Sequence, residues 1–292
     1  MQKIKNLLGN INLTWPKLII FAIISGIYTA IMALIPALKN TSFHDISVSF
    51  EVWILFGIII IMNSKSAKDS ALKCFIFFLI SQPIVYLIQV PFYNEGFEIF
   101  RYYKYWFLWT VVTLPLGYFG YQIKKNNWLS LLIITLILLF LGSHYYNYLK
   151  EMIYSFPCHL LTVLFCLLTM LIYPLCILKN KKQKTTGLII SILTIIISTI
   201  LAFSYNFQYK TTILISNDSN NTFFDKSYKV YMTDSNLGDV YIKYEEGIEE
   251  YVINAEFKKT GKTTLIIEDS EGHKTLFNLE VNIGTFDISK KK

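Results

Sequence analysis

A chain of 292 residues with 53% apolar side chains, only 16% charged ones and a formal net charge of +7 is too apolar for an ordinary water-soluble globule. That composition points to a polytopic membrane protein. The charge is uneven, net +10 over residues 1–204 and net −3 over residues 205–292. Because the basic excess sits in short loops between apolar runs, membrane topology accounts for it, and nucleic acid is excluded as an expected partner. Cys74, Cys158, Cys166 and Cys176 all lie in or beside apolar runs, with neither a disulfide framework nor zinc spacing, so no metal or cofactor is expected.

A helix needs about 20 apolar residues to cross a bilayer, and seven such runs occur. In chain order they are Pro16–Ala37, Ile46–Met62, Leu72–Phe92, Tyr105–Ile123, Trp128–Tyr145, Pro157–Leu178 and Gly187–Tyr205. The residues before the first span lack the order of a cleavable signal peptide, so that span is expected to be retained. The second is the shortest, and it places Glu51 one turn inside its outer boundary.

The distribution of lysine and arginine supports this count. With the N-terminus inside, twelve basic residues fall in the inner segments, among them Lys65, Lys68, Lys124, Lys125, Lys179, Lys181, Lys182 and Lys184. Only Lys39, Arg101, Lys104 and Lys150 fall outside. Such a bias fixes the orientation of a bundle. The fold class expected is therefore a seven-helix transmembrane bundle over residues 1–205, N-terminus inside, with a C-terminal extracytoplasmic domain over residues 206–292. The richness in Ile, Lys and Asn is that of an AT-rich bacterial coding sequence, and the cytoplasmic membrane is the expected location.

After Tyr205 the apolar period changes from 3.6 to two. Tyr228, Val230 and Met232 alternate with polar neighbours, as do Val240, Ile242 and Tyr244, then Tyr251, Ile253, Ala255 and Phe257, and finally Phe277, Leu279, Val281 and Ile283. Turn chemistry at Asn217 to Asn221, Asp234 to Gly238, Thr260 to Lys262 and Asp269 to Gly272 separates about six half-buried strands. These strands form a small all-β sandwich. The run TGKTTLIIEDSEGHKTLFNLEVNI resembles the last strands of bacterial Ig-like surface domains, and the resemblance covers about residues 211–284. It implies a spacer or a module that binds an envelope protein or a glycan, and it carries no catalytic content.

Within the bundle, polar residues recur on single helical faces. Gln82, Tyr86, Gln89 and Tyr93 mark the third span, Thr110 and Thr113 the fourth, His159, Thr162, Cys166, Thr169 and Tyr173 the sixth, and Ser191, Thr194 and Ser198 the seventh. Polar side chains facing lipid are costly, so these stripes point inward. They act either as interhelical glue or as the lining of an uncharged cavity for a small neutral or zwitterionic ligand between the third, fourth and sixth helices. The absence of a central Asp, Glu, Lys or Arg in any predicted span argues against a carrier built on buried carboxylates.

At the outer end His44, Asp45, Glu51, Glu98, Arg101 and His144 share a depth. A histidine and carboxylate pair there would serve an enzyme acting on lipid or cell-wall precursors. However, the chain has no HExxH, GxSxG or Cys-His motif, and a non-enzymatic role is the leading expectation.

On the first helix, Ala22, Gly26 and Ala30 at four-residue spacing let another helix approach closely. That helix is either internal or part of a partner subunit. The face is similar to the first helix of the substrate-binding subunits of energy-coupling-factor vitamin transporters. Membrane lipids are the remaining expected partner.

Overall fold

The computed structural model describes residues 8–38, 41–125, 127–216 and 224–291. These divide into two compact units, one of residues 8–149 and 157–203 and the other of residues 150–156 and 204–291. The expected turn at Asn217 to Asn221 lies outside the described residues.

The first unit is helical. Helix α1 (Trp15–Leu34) begins with Pro16 in its first turn, where a missing N–H costs nothing. The second apolar run is broken in two. Helix α2 (Ser42–Val48) ends at Ser49, whose extended backbone (φ −79°, ψ 152°) separates it from α3 (Phe50–Met62). There follow α4 (Ala67–Gln89), α5 (Tyr103–Gly120), α6 (Trp128–Tyr154), α7 (Leu160–Ile177) and α8 (Lys181–Phe203).

Among the described residues, six segments are long and apolar enough to cross a membrane: α1, the interrupted run Ser42–Met62, Ala67–Phe92, α6, α7 and α8. Helix α5, diluted by Lys104, tyrosines and tryptophans, is less apolar than these. The polarity of the unit is inverted relative to a soluble fold. Ile20, Ile24, Leu108, Leu136, Ile197 and Ile200 are exposed, while Ser25, Thr29, Ser70, Ser81, Thr110 and Ser191 are buried. The chain is thus a membrane-embedded protein, because only lipid rewards that arrangement.

Small residues set the helix contacts. Ala22, Gly26 and Ala30 are all buried within the chain, and Gly26 lies against the Ser81 carbonyl and Ile84 of α4. Helix α5 runs antiparallel along the whole of α4. Its start meets the end of α4 through the rings of Tyr103 and Tyr86, and Gly117 near its end lies against Ser70 and Ala71 at the start of α4.

Connections alternate between two ends of the unit. At one, Asn63 bonds the backbone of Leu8 and Ile11, the Tyr121 hydroxyl donates to the Lys65 carbonyl, and the Lys124 ammonium donates to the Ser64 carbonyl. The segment joining α7 to α8 lies at this same end, since Leu178 and Lys179 share a pocket with Gly9, Met62 and Lys124. Asp45 and His159 meet at the other end.

The second unit consists of two antiparallel sheets. One has the order β1 (Tyr209–Ser216), β4 (Glu250–Phe257), β3 (Gly238–Glu245). The other has the order β2 (Lys229–Met232), β5 (Gly261–Glu268), β6 (Lys274–Asn282), β7 (Thr285–Lys290). Ile253 and Phe257 from one sheet and Leu265, Phe277 and Leu279 from the other share one apolar core. Among the described residues seven strands form where about six were expected, because β7 follows a turn at Gly284 (φ +73°) beyond the expected last strand.

Counted A to G, an immunoglobulin domain pairs its strands as A-B-E-D and C-F-G. Here the equivalents of the B–E and F–G pairs are present as β2–β5 and β6–β7, whereas β1–β4, β3–β4 and β5–β6 replace the A–B, D–E and C–F pairs among the described residues.

Residues 150–156 belong to this unit, although the sequence places them in the bundle. The Tyr154 hydroxyl donates to the Tyr205 carbonyl (2.7 Å) and accepts from the Phe207 N–H (3.2 Å). The Tyr154 carbonyl accepts from the Thr260 hydroxyl (2.7 Å).

Candidate functional site: two buried histidine–carboxylate pairs

The break at Ser49 determines where the polar groups of the second span point. Asp45 and Glu51 are six residues apart and would face different sides of one continuous helix, yet both are buried.

Asp45 projects from α2 toward the start of α7. Its Oδ2 lies 2.6 Å from His159 Nδ1 and accepts from the Thr162 hydroxyl at 2.8 Å. Beside it, the Ser42 hydroxyl oxygen accepts from the backbone N–H of Leu161 (3.0 Å) and of Thr162 (3.3 Å). Helix α2 thereby supplies partners to two of the first-turn N–H groups of α7, which have none within the helix itself. His159 holds a left-handed backbone (φ 63°, ψ 2°) at the N-cap, a conformation that costs an L-residue about 1–2 kcal/mol. Its carboxylate bond and the capping of the next turn hold it there.

Glu51 opens α3 and is wholly buried. Its Oε1 approaches His144 Nδ1 on α6 to 2.5 Å, a close contact without hydrogen-bond alignment. Neither carboxylate oxygen has a hydrogen-bond partner among the described residues. Phe140 and Phe50 flank the imidazole, with ring centroids 4.5 and 6.4 Å away. Tyr148 stands between the two histidines, 6.4 Å from the His144 ring and 5.8 Å from that of His159. In both pairs the carboxylate faces Nδ1, which leaves Nε2 on the far side of the ring.

The stripe predicted on the sixth span forms one wall of this zone. His159, Thr162, Cys166, Thr169 and Tyr173 are all buried, and the Tyr173 hydroxyl, like that of Ser49, has no hydrogen-bond partner among the described residues. Glu51 lies nine residues past Ser42 and eleven before Met62, midway along the interrupted span. This corrects the expectation that no acidic residue lies centrally in a span. The hydropathy pattern starts that span at Ile46, whereas the helical run starts at Ser42, and the earlier start moves Glu51 inward.

Other predicted residues have different surroundings. Helix α7 packs chiefly on α2 and α8, whereas α4 packs on α1, α3 and α5, so the polar stripes of the third and sixth spans belong to different helix groups. Gln82 and Gln89 are buried, Tyr86 packs on the Phe100 and Tyr103 rings, and Tyr93 is exposed. The hydroxyls of Thr110 and Thr113 donate to carbonyls of their own helix. In the outer cluster His44 is half-buried, and Glu98 and Arg101 are exposed. The Arg101 guanidinium bonds Tyr102 (3.1 Å) and Glu95 (3.3 Å), which hold it above its ordinary range. The described residues include no group of three or more potential metal ligands.

Comparison with family models finds no match, and neither a curated protein nor a solved structure matches the chain. The chemistry of the site therefore has to be read from its own residues. Missing from the sequence reading was the pairing itself. Each histidine meets a carboxylate about a hundred positions away on another helix, a separation that no local spacing reveals.

Proposed function

We propose that the bundle is a proton-coupled carrier for a small polar solute, with Glu51 and His144 as the proton-binding pair and Asp45 and His159 as a second pair beside them. The observation behind this reading is Glu51: wholly buried midway along an interrupted span, with no hydrogen bond to its carboxylate among the described residues, and 2.5 Å from an imidazole. A buried carboxylate is tolerated only when it is paired or protonated. Uptake or release of a proton by either member switches the pair between forms of different charge. Interrupted spanning helices with polar residues at mid-depth are the usual architecture of solute and ion sites.

In this reading the chain crosses the cytoplasmic membrane seven times. The antiparallel course of α5 along α4 and the alternation of connections support α5 as the extra crossing. The N-terminus is cytoplasmic, and the Ig-like sandwich stands outside for contact with an envelope protein or glycan. An impermeant maleimide should label a Ser270→Cys variant in intact cells, and protection of that cysteine would reverse the orientation.

A hydrophobic carbodiimide, which modifies protonated carboxyls in apolar surroundings, tests the proton site without knowledge of the solute. Labelling of Glu51 should rise as pH falls and vanish in Glu51→Gln. It should extend to higher pH in His144→Ala, because loss of the imidazolium makes the carboxylate hold its proton more tightly. Absence of label on Glu51 at every pH would reject the assignment.

A second reading is favoured by the ring of His144, which remains a quarter exposed. Oriented by Glu51, it would act as the general base of a transferase or hydrolase on lipid-borne substrates. Product formed from envelope lipids by the wild type and not by His144→Ala would distinguish that enzyme from a carrier.

A further inference from the structure

At the end of the bundle away from Asp45 and His159, a pocket of about 500 Å³ opens between the N-terminal segment, the end of α3, the turn after α5 and the connection from α7 to α8. This volume lies in the range of about 300–1,000 Å³ typical of small-molecule sites. Its wall has two characters, for Met62, Ile177 and Leu178 are apolar while Lys124 and Lys179 bring ammonium groups.

Lys124 is half-buried, and its ammonium donates to the Ser64 carbonyl at 2.5 Å. Burial first, and then the charges of Lys179 and Lys73, press it below its ordinary range in spite of Asp69. Asp69 itself is engaged by the Lys73 ammonium (3.0 Å) and the Lys65 N–H (2.8 Å). Neither Lys124 nor Lys179 forms an ion pair among the described residues. A partly desolvated cation beside another cation, with no acid assigned to it, is a site for an anion.

We propose that this pocket binds the phosphate of an anionic phospholipid, with Lys124 and Lys179 on the phosphate oxygens and the partly exposed Met62 against the first carbons of the lipid. Basic pockets between helices at a membrane surface hold phosphate headgroups in this way. The apolar half of the wall favours a lipid over a soluble anion, and the place of the pocket at the ends of spanning helices puts it at headgroup depth. This assignment is independent of the carrier reading, since it shares no residue with the histidine pairs.

The test uses full-length protein in detergent, titrated with dioleoylphosphatidylglycerol, dioleoylphosphatidylcholine or inorganic phosphate and followed by native mass spectrometry. Phosphatidylglycerol should be retained roughly ten-fold more strongly than phosphatidylcholine, and Lys179→Gln should weaken its retention roughly five-fold. Lys124→Gln should act in the same direction. Lys125→Gln, which removes a charge from the same turn but outside the pocket wall, should leave retention unchanged. Should the half-buried Lys124 variant fail to fold, the exposed position 179 carries the comparison alone, with Lys179→Arg retaining the lipid.

Three results would overturn the proposal: equal losses in Lys125→Gln and Lys179→Gln, which would mean diffuse surface attraction; inorganic phosphate binding as tightly as phosphatidylglycerol; or no preference between the two lipids.

Discussion

Two histidine–aspartate pairs sit in this protein in opposite surroundings. His159 and Asp45 approach to 2.6 Å with side chains 10% and 8% exposed, while His273 and Asp269 approach to 3.0 Å with side chains 77% and 25% exposed. The functional groups are the same, but their alternatives differ. In the hairpin after β5, water replaces either partner at little cost, and such pairs contribute little. Inside the bundle water does not replace either partner, so removal of one leaves the other poorly compensated. Chemistry that is dispensable in the sandwich becomes an obligation among the helices, and this is why the bundle pairs, rather than the more numerous surface pairs, mark the candidate site.

The largest effect should come from breaking the inner pair. Asp45→Ala leaves His159 and the Thr162 hydroxyl without their acceptor, and removal of one member of a buried pair costs about 3–5 kcal/mol. Thermal unfolding in detergent should show that loss. Replacement of both members, Asp45→Leu with His159→Phe, should recover most of it, because an apolar pair of similar volume has no desolvation cost to repay. A double variant no more stable than Asp45→Ala would mean that the pair is not the source of the cost.

Glycines sharpen the same contrast at intermediate size. A Cβ on Gly238, which has φ +150°, would collide with the Glu256 carbonyl across the β3–β4 pair, and backbone cannot step aside. Gly238→Ala should cost about 3 kcal/mol. A Cβ on Gly142 of α6 would meet the Thr194 methyl of α8, the end of a side chain that can turn away, and Gly142→Ala should cost about 1 kcal/mol. Unfolding of the full chain, followed by probes in each unit, measures both.

These differences also explain what the sequence could show. Lipid-facing apolar runs and alternating strands are local patterns, so the spanning helices, the polar stripe of α7 and strands β2 to β6 were legible from periodicity. The break at Ser49 was not, because Ser42, Ser47 and Ser49 lower the hydropathy without any proline or glycine to announce an interruption. The stripes of α4 and α7 carry the same rhythm, but rhythm gives a face and not its neighbour. Which helix fills that face is decided by small residues such as Gly26 and Gly117, which bring α1 and α5 onto α4. Strand β7 was missed because the alternation in TFDISK rests on two apolar residues alone, Phe286 and Ile288, too short a run to stand out before pairing with β6.

The smallest effect belongs to the outer pair, and pH separates its two members. Burial pushes the Asp269 carboxyl up, but the hydrogen bonds it accepts from the His273 N–H and ring and from the Glu271 N–H outweigh this and hold it below its ordinary 3.8. A carboxyl lowered on folding contributes stability that is present above its unfolded value and lost as pH falls through its folded one. The largest lowering contribution comes from the His273 backbone N–H, which alanine keeps, and the exposed ring adds little, so His273→Ala should change the unfolding temperature at neutral pH by less than Asp269→Ala does. Asp269→Ala should lower it at neutral pH and converge with the wild type as the pH drops below 3.8. If His273→Ala proved as damaging as Asp45→Ala, exposure would not be what separates the two pairs, and the argument that singles out the buried ones would fail with it.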